Sequence, residues 1–389
     1  MKSIKKIAIL GSTGSIGKTT LKIIKKNKSK FKIILLTANK NYKALIKQTR
    51  EFKVQNVIIT NKTSYNKFKS INKNPNIKIF NNFKNLDKIF KSKVDYTMCS
   101  IVGIDGLEPT LKLIKFTKII AIANKESIIC GWNIIKKKLK IFKTKLIPVD
   151  SEHFSIWYAL RNNNTTNISK VFLTASGGPL LTFSKNKIKN INIKDVLKHP
   201  NWKMGNKITV DSSTMMNKVF EIIEARNIFD LSLKKLSILI HPKSYVHAIL
   251  KFNDGMIKIV AHHTTMEIPI TNSIYNTKIN SIIKNNLDIQ KLNNLNFSKV
   301  NYNKYPSVKI LKLLPDKFSL FETIMVSAND ELVRLFLKKK IKYNEIVQKL
   351  LKLISSKEFL KYKKKLPNSI SEIVKLDRYV RLKINSKGV

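Results

Sequence analysis

Short apolar runs alternate with polar, amphipathic stretches through the first 150 residues of the chain. Uninterrupted apolar runs of this length are typical of parallel strands that are covered by helices on both faces. The pattern therefore predicts an α/β fold over residues 1–150, built on a doubly wound parallel sheet. The predicted strands lie at residues 5–10, 32–37, 55–60, 77–80, 94–100, 118–123 and 145–149.

The pattern becomes mixed beyond residue 150. A strand-like run precedes two glycines and a proline at 177–179, residues 211–226 follow a helical period, and residues 248–261 indicate a hairpin. An Asn-rich stretch has the composition of a connector, and the rest of the chain repeats an apolar helical period. We expect a central α+β domain over 151–285, a connector over 286–304 and a C-terminal helical bundle over 305–389.

Composition limits the class of protein. No apolar run among the 389 residues reaches the ~20 residues of a membrane span, and the first ten residues are too short an apolar segment for a secretory signal. We therefore expect a cytoplasmic protein with no membrane partner. Cys99 and Cys130 each lie among apolar residues, which argues against a disulfide framework or a zinc cluster.

The formal net charge of +51 is consistent with a nucleic-acid partner. However, nearly all of the positive charge is lysine, spread along the chain among Ile and Asn. Proteins that bind phosphates and bases favour arginine and cluster their basic residues on one face. We attribute the charge to compositional drift and expect no nucleic-acid partner.

A glycine loop follows the first apolar run. Gly11, Gly14 and Gly17 form a G-x-x-G-x-x-G pattern, and although the loop ends in Gly-Lys-Thr, its spacing does not fit an ATP-binding phosphate loop. The pattern fits a variant of the dinucleotide-binding turn. The second run is not followed by an acid, and Lys40 lies between two asparagines, which favours NADPH over NADH.

Polar residues follow the sixth and seventh runs, where a parallel sheet binds its ligands. If residues 149–152 are extended, Asp150 and Glu152 share one face, and two neighbouring carboxylates are stable when a cation lies between them. Oxygen ligands favour Mg²⁺ or Mn²⁺. His153 would point to the other face, which argues against zinc. A third acid, Glu221, would share one side of the predicted helix with Asn217 and Lys218.

Two further segments have the composition of phosphate-binding sites. Ser176 precedes the double glycine, and Ser212-Ser213 lies near the start of the predicted helix. Between them, the polar loop 197–207 contains Trp202. A tryptophan in such a loop is typical of a lid that excludes water from a site.

Taken in order, these motifs resemble the 1-deoxy-D-xylulose 5-phosphate reductoisomerase family over nearly the whole chain. The resemblance rests on "GSTGSIG", "AIANKES", "LIPVDSEH", "SGGP", "HPNWKMGNKITVDSSTMMNKVFEIIEA" and "IHPKSYVHA". It implies an NADPH- and divalent-metal-dependent oxidoreductase that isomerises and reduces 1-deoxy-D-xylulose 5-phosphate to 2-C-methyl-D-erythritol 4-phosphate, for isoprenoid precursors. It also implies a homodimer.

The resemblance further implies roles for individual residues. Metal ligands would be Asp150, Glu152 and Glu221, which with Lys125 would be the catalytic residues. The substrate would face Lys125, Ser151, Glu152, Ser176, His199, Ser212, Asn217, Lys218 and Glu221. NADPH would contact Thr13, Gly14, Ser15, Ile16, Lys40, Asn41, Asn124, Glu126 and Gly205. Trp202 would close over the substrate, and His247 would lie near the site.

Two positions depart from the family pattern, because Asn39 and Ala175 stand where the family usually has glycine. Both departures concern local backbone geometry. Two alternative functions stay open from the sequence: a metal-independent NADPH-linked sugar or semialdehyde dehydrogenase, and a lysine-rich nucleic-acid-binding protein.

Overall fold

The computed structural model describes residues 4–161, 165–189, 191–202, 204–275 and 287–386. Its strands are β1 (Lys5–Leu10), β2 (Phe31–Ala38), β3 (Asn56–Ile59), β4 (Lys78–Phe80), β5 (Val94–Cys99), β6 (Thr117–Ile122), β7 (Lys145–Pro148), β8 (Ile168–Ala175), β9 (Leu236–Ile240), β10 (Val246–Phe252), β11 (Ile257–Ala261) and β12 (Ser298–Lys299).

The helices that precede β10 in the chain are α1 (Ser15–Lys25), α2 (Tyr42–Glu51), α3 (Lys62–Ile71), α4 (Leu86–Ile89), α5 (Leu107–Leu113), α6 (Lys125–Ile141), α7 (Ser151–Ala159), α8 (Lys185–Lys189), α9 (Ile193–Val196), α10 (Asn206–Ser213) and α11 (Met216–Phe229). Those that follow it are α12 (Glu267–Tyr275), α13 (Ile289–Asn293), α14 (Phe321–Leu337), α15 (Tyr343–Ile354), α16 (Lys357–Leu360) and α17 (Ile370–Ser386).

The first compact unit comprises the described residues within Met1–Ser127, Ile134–Asp150 and Met266–Ile283. Its seven strands form one parallel sheet in the order β4-β3-β2-β1-β5-β6-β7, and each predicted run overlaps a strand. The α/β prediction is therefore confirmed. The strand order reverses between β1 and β5, and such a reversal opens a ligand crevice at the carboxyl ends of the strands.

Apolar residues from both faces of this sheet are buried. Ile7 and Ile9 on β1 and Leu36 on β2 are fully buried, and Ile270 and Ile274 of α12 complete the same core. The hydroxyl groups of Tyr96 and Ser273 are 2.7 Å apart, which fixes α12 further. The described residues 266–275 thus belong to the first unit, whereas the sequence assigned them to the central domain; the three-domain division itself stays a prediction.

The second compact unit comprises the described residues within Ile128–Asn133, Ser151–Thr265 and Lys284–Val389. Its sheet has the order β11-β10-β8-β9-β12, with β8 and β9 parallel and the other pairs antiparallel. The predicted hairpin is confirmed as β10 and β11, and Gly255 in its turn has a φ of +88°. Helix α11 packs on this sheet through buried residues such as Ile222 and Ala225.

Three local features differ from the pattern that the sequence indicated. The predicted helix at 211–226 is two helices, because the chain turns at Met215, whose φ is +63°. Residues 149–152 are not extended, because α7 begins at Ser151. The predicted connector contains a strand, since Ser298 and Lys299 pair with β9; Asn286, its first residue, lies outside the described residues.

The C-terminal segment is helical, as predicted. Helix α14 packs against α15 and α17, and Ile324, Leu350 and Ile373 are fully buried among them. Through the described part of the chain, every helix is too short or too polar to cross a lipid bilayer.

Candidate active site

The glycine loop lies between β1 and α1, where the strand order reverses. Gly11 has a φ of +75°, and a Cβ atom there would lie 2.7 Å from the Ser100 carbonyl oxygen. A Cβ atom at Gly17 would lie 2.4 Å from the Gly11 carbonyl oxygen, so both positions require glycine. Gly14 caps α1 without a side-chain hydrogen bond, and the first amide groups of a helix have no partner within it. This helix N-terminus can bind an anion, and it includes the predicted residues Thr13, Gly14, Ser15 and Ile16.

Lys40 and Asn41 follow β2, the neighbour of β1, and both are exposed. The Asn41 Oδ1 atom accepts a hydrogen bond from the Ala44 amide at 3.1 Å, so Asn41 caps α2. The two departures from the family pattern are accommodated without strain, because neither Asn39 nor Ala175 has a positive φ.

Asn124 and Lys125 follow β6, and Asp150 follows the neighbouring strand β7. Asn124 caps α6 by accepting from the Ser127 amide, and its amide group donates to the Gly103 carbonyl at 2.8 Å. The Lys125 ammonium forms an ion pair with the Asp150 carboxylate. Glu126 is buried in the first turn of α6.

A second charged cluster joins α7 and α11. The Lys218 ammonium lies 2.7 Å from Glu152 Oε1 and also forms an ion pair with Glu221. Asn217 donates a hydrogen bond to Glu221, and the Ser151 hydroxyl donates to Glu152. Burial disfavours the charged form of Lys218, but the two carboxylates outweigh burial and raise its pKa. The structure thus brings together five of the predicted substrate residues, which are the carboxylates Glu152 and Glu221 and their partners Ser151, Asn217 and Lys218.

His153 connects the same two helices and was not predicted to do so. Its ring is fully buried, and Nε2 lies 2.8 Å from the Glu221 carbonyl oxygen. Nδ1 lies 4.0 Å from Glu224 Oε2, one turn further along α11. The sequence placed His153 on the face opposite Glu152 because it assumed an extended segment; in a helix, its side chain reaches the backbone that carries Glu221.

A polar cluster without carboxylates brings together Ser176, His199 and Ser212. His199 Nε2 lies 3.2 Å from Ser176 Oγ and 3.1 Å from Ser212 Oγ. His199 Nδ1 accepts hydrogen bonds from the amides of Asn201 and Trp202, so the proton of the neutral ring resides on Nε2. Burial lowers the pKa of His199 to about 4, which keeps the ring neutral near pH 7.

The predicted lid loop, residues 197–207, is held at its described residues. Asn201 donates to the Pro242 carbonyl at 2.6 Å and to the Ser244 hydroxyl at 2.9 Å, a role that the sequence did not reveal. The Trp202 ring meets the His247 ring edge to face, with 6.2 Å between the centroids. Gly205 caps α10 with an ordinary backbone, and it belongs to the second unit, unlike the other predicted cofactor residues. Lys203 lies outside the described residues.

Comparison with known proteins agrees with this arrangement. The chain is 58% identical over 388 residues to the 1-deoxy-D-xylulose 5-phosphate reductoisomerase of Pelagibacter ubique (strain HTCC1062). The aligned region covers 99% of this chain and 100% of that protein. This chain belongs to the 1-deoxy-D-xylulose 5-phosphate reductoisomerase family. Three family models match the chain. The model of 1-deoxy-D-xylulose 5-phosphate reductoisomerase matches residues 7–131, the model of the C-terminal domain of this enzyme matches residues 146–229, and the model of the DXP reductoisomerase C-terminal domain matches residues 262–383.

Solved reductoisomerase structures share the fold. The enzyme from Zymomonas mobilis in complex with NADPH is 30% identical, with a TM-score of 0.87 and coverage of 98% of both chains. DOX-P reductoisomerase in complex with NADPH, fosmidomycin and magnesium is 30% identical, with a TM-score of 0.91 and coverage of 99% of this chain and 98% of that chain.

Proposed function

We propose that this chain is an NADPH- and divalent-metal-dependent reductoisomerase. It converts 1-deoxy-D-xylulose 5-phosphate to 2-C-methyl-D-erythritol 4-phosphate, for isoprenoid precursors. The observation that carries the proposal is the pair of carboxylates, Glu152 and Glu221, on one buried ammonium in a chain of this family. A metal-independent dehydrogenase has no need for such a cluster.

Asp150, Glu152 and Glu221 hold the metal ion in this proposal. The residues fit a hard divalent cation, because their donors are oxygens alone and because Glu152 and Glu221 already share one cation, the Lys218 ammonium. Asp150 immediately precedes α7, two residues before Glu152. Bound there, Mg²⁺ or Mn²⁺ would supply Lewis acidity toward the ketone and hydroxyl oxygens of the substrate.

NADPH binds at the β1–α1 loop in this proposal. The residues fit its pyrophosphate, because the N-cap of α1 is Gly14 and the first turn of the helix contains no acid. They fit a 2′-phosphate as well, because the exposed Lys40 follows β2 and no carboxylate does. We assign contacts with NADPH to Thr13, Gly14, Ser15, Ile16, Lys40, Asn41, Asn124, Glu126 and Gly205. Bound NADPH supplies the hydride.

The remaining polar residues bind and orient the substrate. Ser176, Ser212 and Asn217 donate hydrogen bonds to its phosphate, Lys218 adds positive charge, and the Nε2–H group of His199 is a further donor. At the other end, Lys125 brings its ammonium toward the reacting oxygens, where it stabilises developing negative charge. Ser151 orients Glu152, and Trp202 covers the substrate and excludes water.

The test is NADPH oxidation by the purified protein with 1-deoxy-D-xylulose 5-phosphate and Mn²⁺. Absorbance of NADPH should fall, the fall should stop with a chelator, and Mn²⁺ should restore it. Glu221→Gln should abolish turnover while NADPH still binds. The matched control is Glu224→Gln, the same change one turn later in α11 beside His153, which should retain turnover. An unchanged rate of turnover in the presence of the chelator would refute the metal dependence.

We also propose a cytoplasmic homodimer. Support for a second copy comes from β11, an edge strand of the second sheet, because Ile257 and Ile259 on this strand and Met256 directly before it are exposed. Exposed apolar edge strands are templates for pairing with another chain. Ile259→Lys should shift the protein from dimer to monomer in analytical ultracentrifugation. The two buried free thiols, Cys99 and Cys130, are consistent with the cytoplasm, and cell fractionation tests that location.

A further inference from the structure

Four rings form a row that leads away from the lid tryptophan. The Trp202 and His247 rings meet edge to face. The His247 and His262 rings are stacked, with 3.8 Å between centroids and 17° between planes. The His262 ring then meets the Phe154 ring of α7 edge to face at 6.1 Å. His262 therefore lies directly behind the residue that Trp202 contacts.

Local backbone structure sets this stack. Strand β10 has a register shift against β11 between Val246 and Ala248, so His247 has no partner across the pair. A bulge of this kind redirects the side chain of the unpaired residue. His247 Nε2 lies 3.1 Å from the His262 carbonyl oxygen, and the His262 amide donates to the Tyr245 carbonyl at 3.0 Å. The His262 ring has a backbone contact of its own, because its Nδ1 atom lies 2.8 Å from the His263 carbonyl oxygen.

The environment favours two neutral rings. Burial, with the neighbouring His262, lowers the pKa of His247 to about 3. Burial also lowers the pKa of His262, although the His263 carbonyl and Glu152 oppose it. Neutral imidazoles can stack closely without the repulsion between two cations. Only 2% of His247 and 9% of His262 is exposed, so removing one ring leaves a cavity beside the other.

We infer that His262 is a positioning residue of the lid: its ring supports the back of His247 and so holds the surface on which Trp202 docks. This inference rests on the proposed function for its effect on turnover. Without the His262 ring, His247 can turn into the vacated space, and Trp202 loses its contact. The lid then closes less favourably over the substrate.

The kinetic test compares three variants of the full chain. His262→Ala removes the ring, His262→Gln restores volume and polarity without an aromatic face, and His262→Phe restores the face. We expect the KM for 1-deoxy-D-xylulose 5-phosphate to rise about 3- to 10-fold in the Ala and Gln variants, the scale of one aromatic contact. Turnover number and NADPH affinity should change little, and the Phe variant should resemble the parent. The control His263→Gln changes the adjacent histidine, whose ring contacts Tyr245 instead.

A second measurement does not depend on turnover. Hydrogen–deuterium exchange of residues 197–202 in the free protein should be faster in His262→Ala than in the parent, and unchanged in His262→Phe and His263→Gln. Equal exchange in His262→Ala and the parent would overturn the inference. Equal impairment of the Ala and Phe variants would also overturn it. If the parent oxidises no NADPH with this substrate, the proposed function fails, and the exchange measurement alone decides the role of His262.

Discussion

Replacing Lys218 by methionine tests the charge balance of the candidate active site. The Lys218 ammonium is paired with Glu152 and Glu221, and methionine preserves most of its volume without the charge. Because the carboxylates raise the pKa of Lys218, the folded protein holds this proton more tightly than the unfolded chain does. The stabilisation is therefore fully present at neutral pH, and it is lost only as the pH rises through the raised pKa.

The expected loss of stability follows from burial. Lys218 is 5% exposed and Glu221 is 1% exposed, so the substitution leaves a buried carboxylate beside a second one. Removing one partner of a buried ion pair typically costs about 3–5 kcal/mol. Glu152 is only partly buried, and it can recover some hydration. We therefore expect a loss near the lower end, about 3 kcal/mol, in the absence of divalent metal.

The assay is urea unfolding followed by tryptophan fluorescence, with chelator or with Mn²⁺. The described parts of the chain hold Trp132, Trp157 and Trp202, and all three belong to the second unit, so the signal reports on the unit that contains Lys218. Mn²⁺ should stabilise Lys218→Met more than the parent, because the cation replaces the missing charge.

The matched control for this assay is Lys207→Met. Lys207 also contacts two carboxylates, Asp211 and Asp330, but Asn329 still donates to Asp211 and Arg381 still pairs with Asp330. Mn²⁺ should therefore have no special effect on the control. Equal stability of Lys218→Met and the parent in chelator, or equal stabilisation of both by Mn²⁺, would refute the reasoning.

Three further substitutions have predictable effects on stability. Because the pKa of His199 is lowered to about 4, the parent loses stability as the pH falls from about 6.5 to 4; His199→Gln should lose less in urea titrations over that range, and an identical pH profile would contradict this. Gly17→Ala should strongly destabilise the first unit, because its Cβ atom would lie 2.4 Å from a backbone oxygen. Gly205→Ala is the control, because its Cβ atom would meet nothing within 4 Å. Equal decreases of the melting temperature in the two variants, measured by circular dichroism, would contradict this prediction. Glu322→Gln should lower the free energy of unfolding by about 3 kcal/mol, because it leaves the buried Arg226 guanidinium without its carboxylate. A loss below about 1 kcal/mol in unfolding followed by tryptophan fluorescence would contradict this, since it would show that Arg226 is compensated without the carboxylate.

Sequence periodicity predicted the first unit well for a physical reason. Strands such as β1 and β2 are buried over most of their length, so they contain the uninterrupted apolar runs 7–10 and 33–36. The turn between α10 and α11 was missed because Met215 adopts a left-handed backbone without the glycine or asparagine that usually announces one. The β12 strand was missed because two residues carry too little pattern to identify a strand.

The sequence identified the residues of the candidate site better than it identified the contacts between them. The acid Glu152 was identified by its position after a predicted strand, and Lys218 and Glu221 were identified because they share one side of a predicted helix. Two buried histidines have contacts that the sequence did not reveal. The contact of His153 with the Glu221 backbone depends on the start of α7, and the stacking of His262 on His247 depends on the register shift in β10. Neither the helix start nor the shift has a distinctive local sequence, so these roles emerged only from the structure.

The net charge of +51 provides the last prediction. The lysines are distributed along the chain, and they repel one another more strongly in the folded state than in the expanded chain. With 75 basic and 24 acidic residues, most basic side chains have no acidic residue to pair with, so repulsion outweighs the attraction within ion pairs. Raising the salt concentration from about 0.01 to about 0.1 M shortens the Debye length from ~30 to ~10 Å. The urea midpoint should therefore rise over this range. A fall would mean that exposed pairs such as Lys22 with Glu267 outweigh the repulsion, and the lysine excess would then need a functional explanation such as a polyanionic partner.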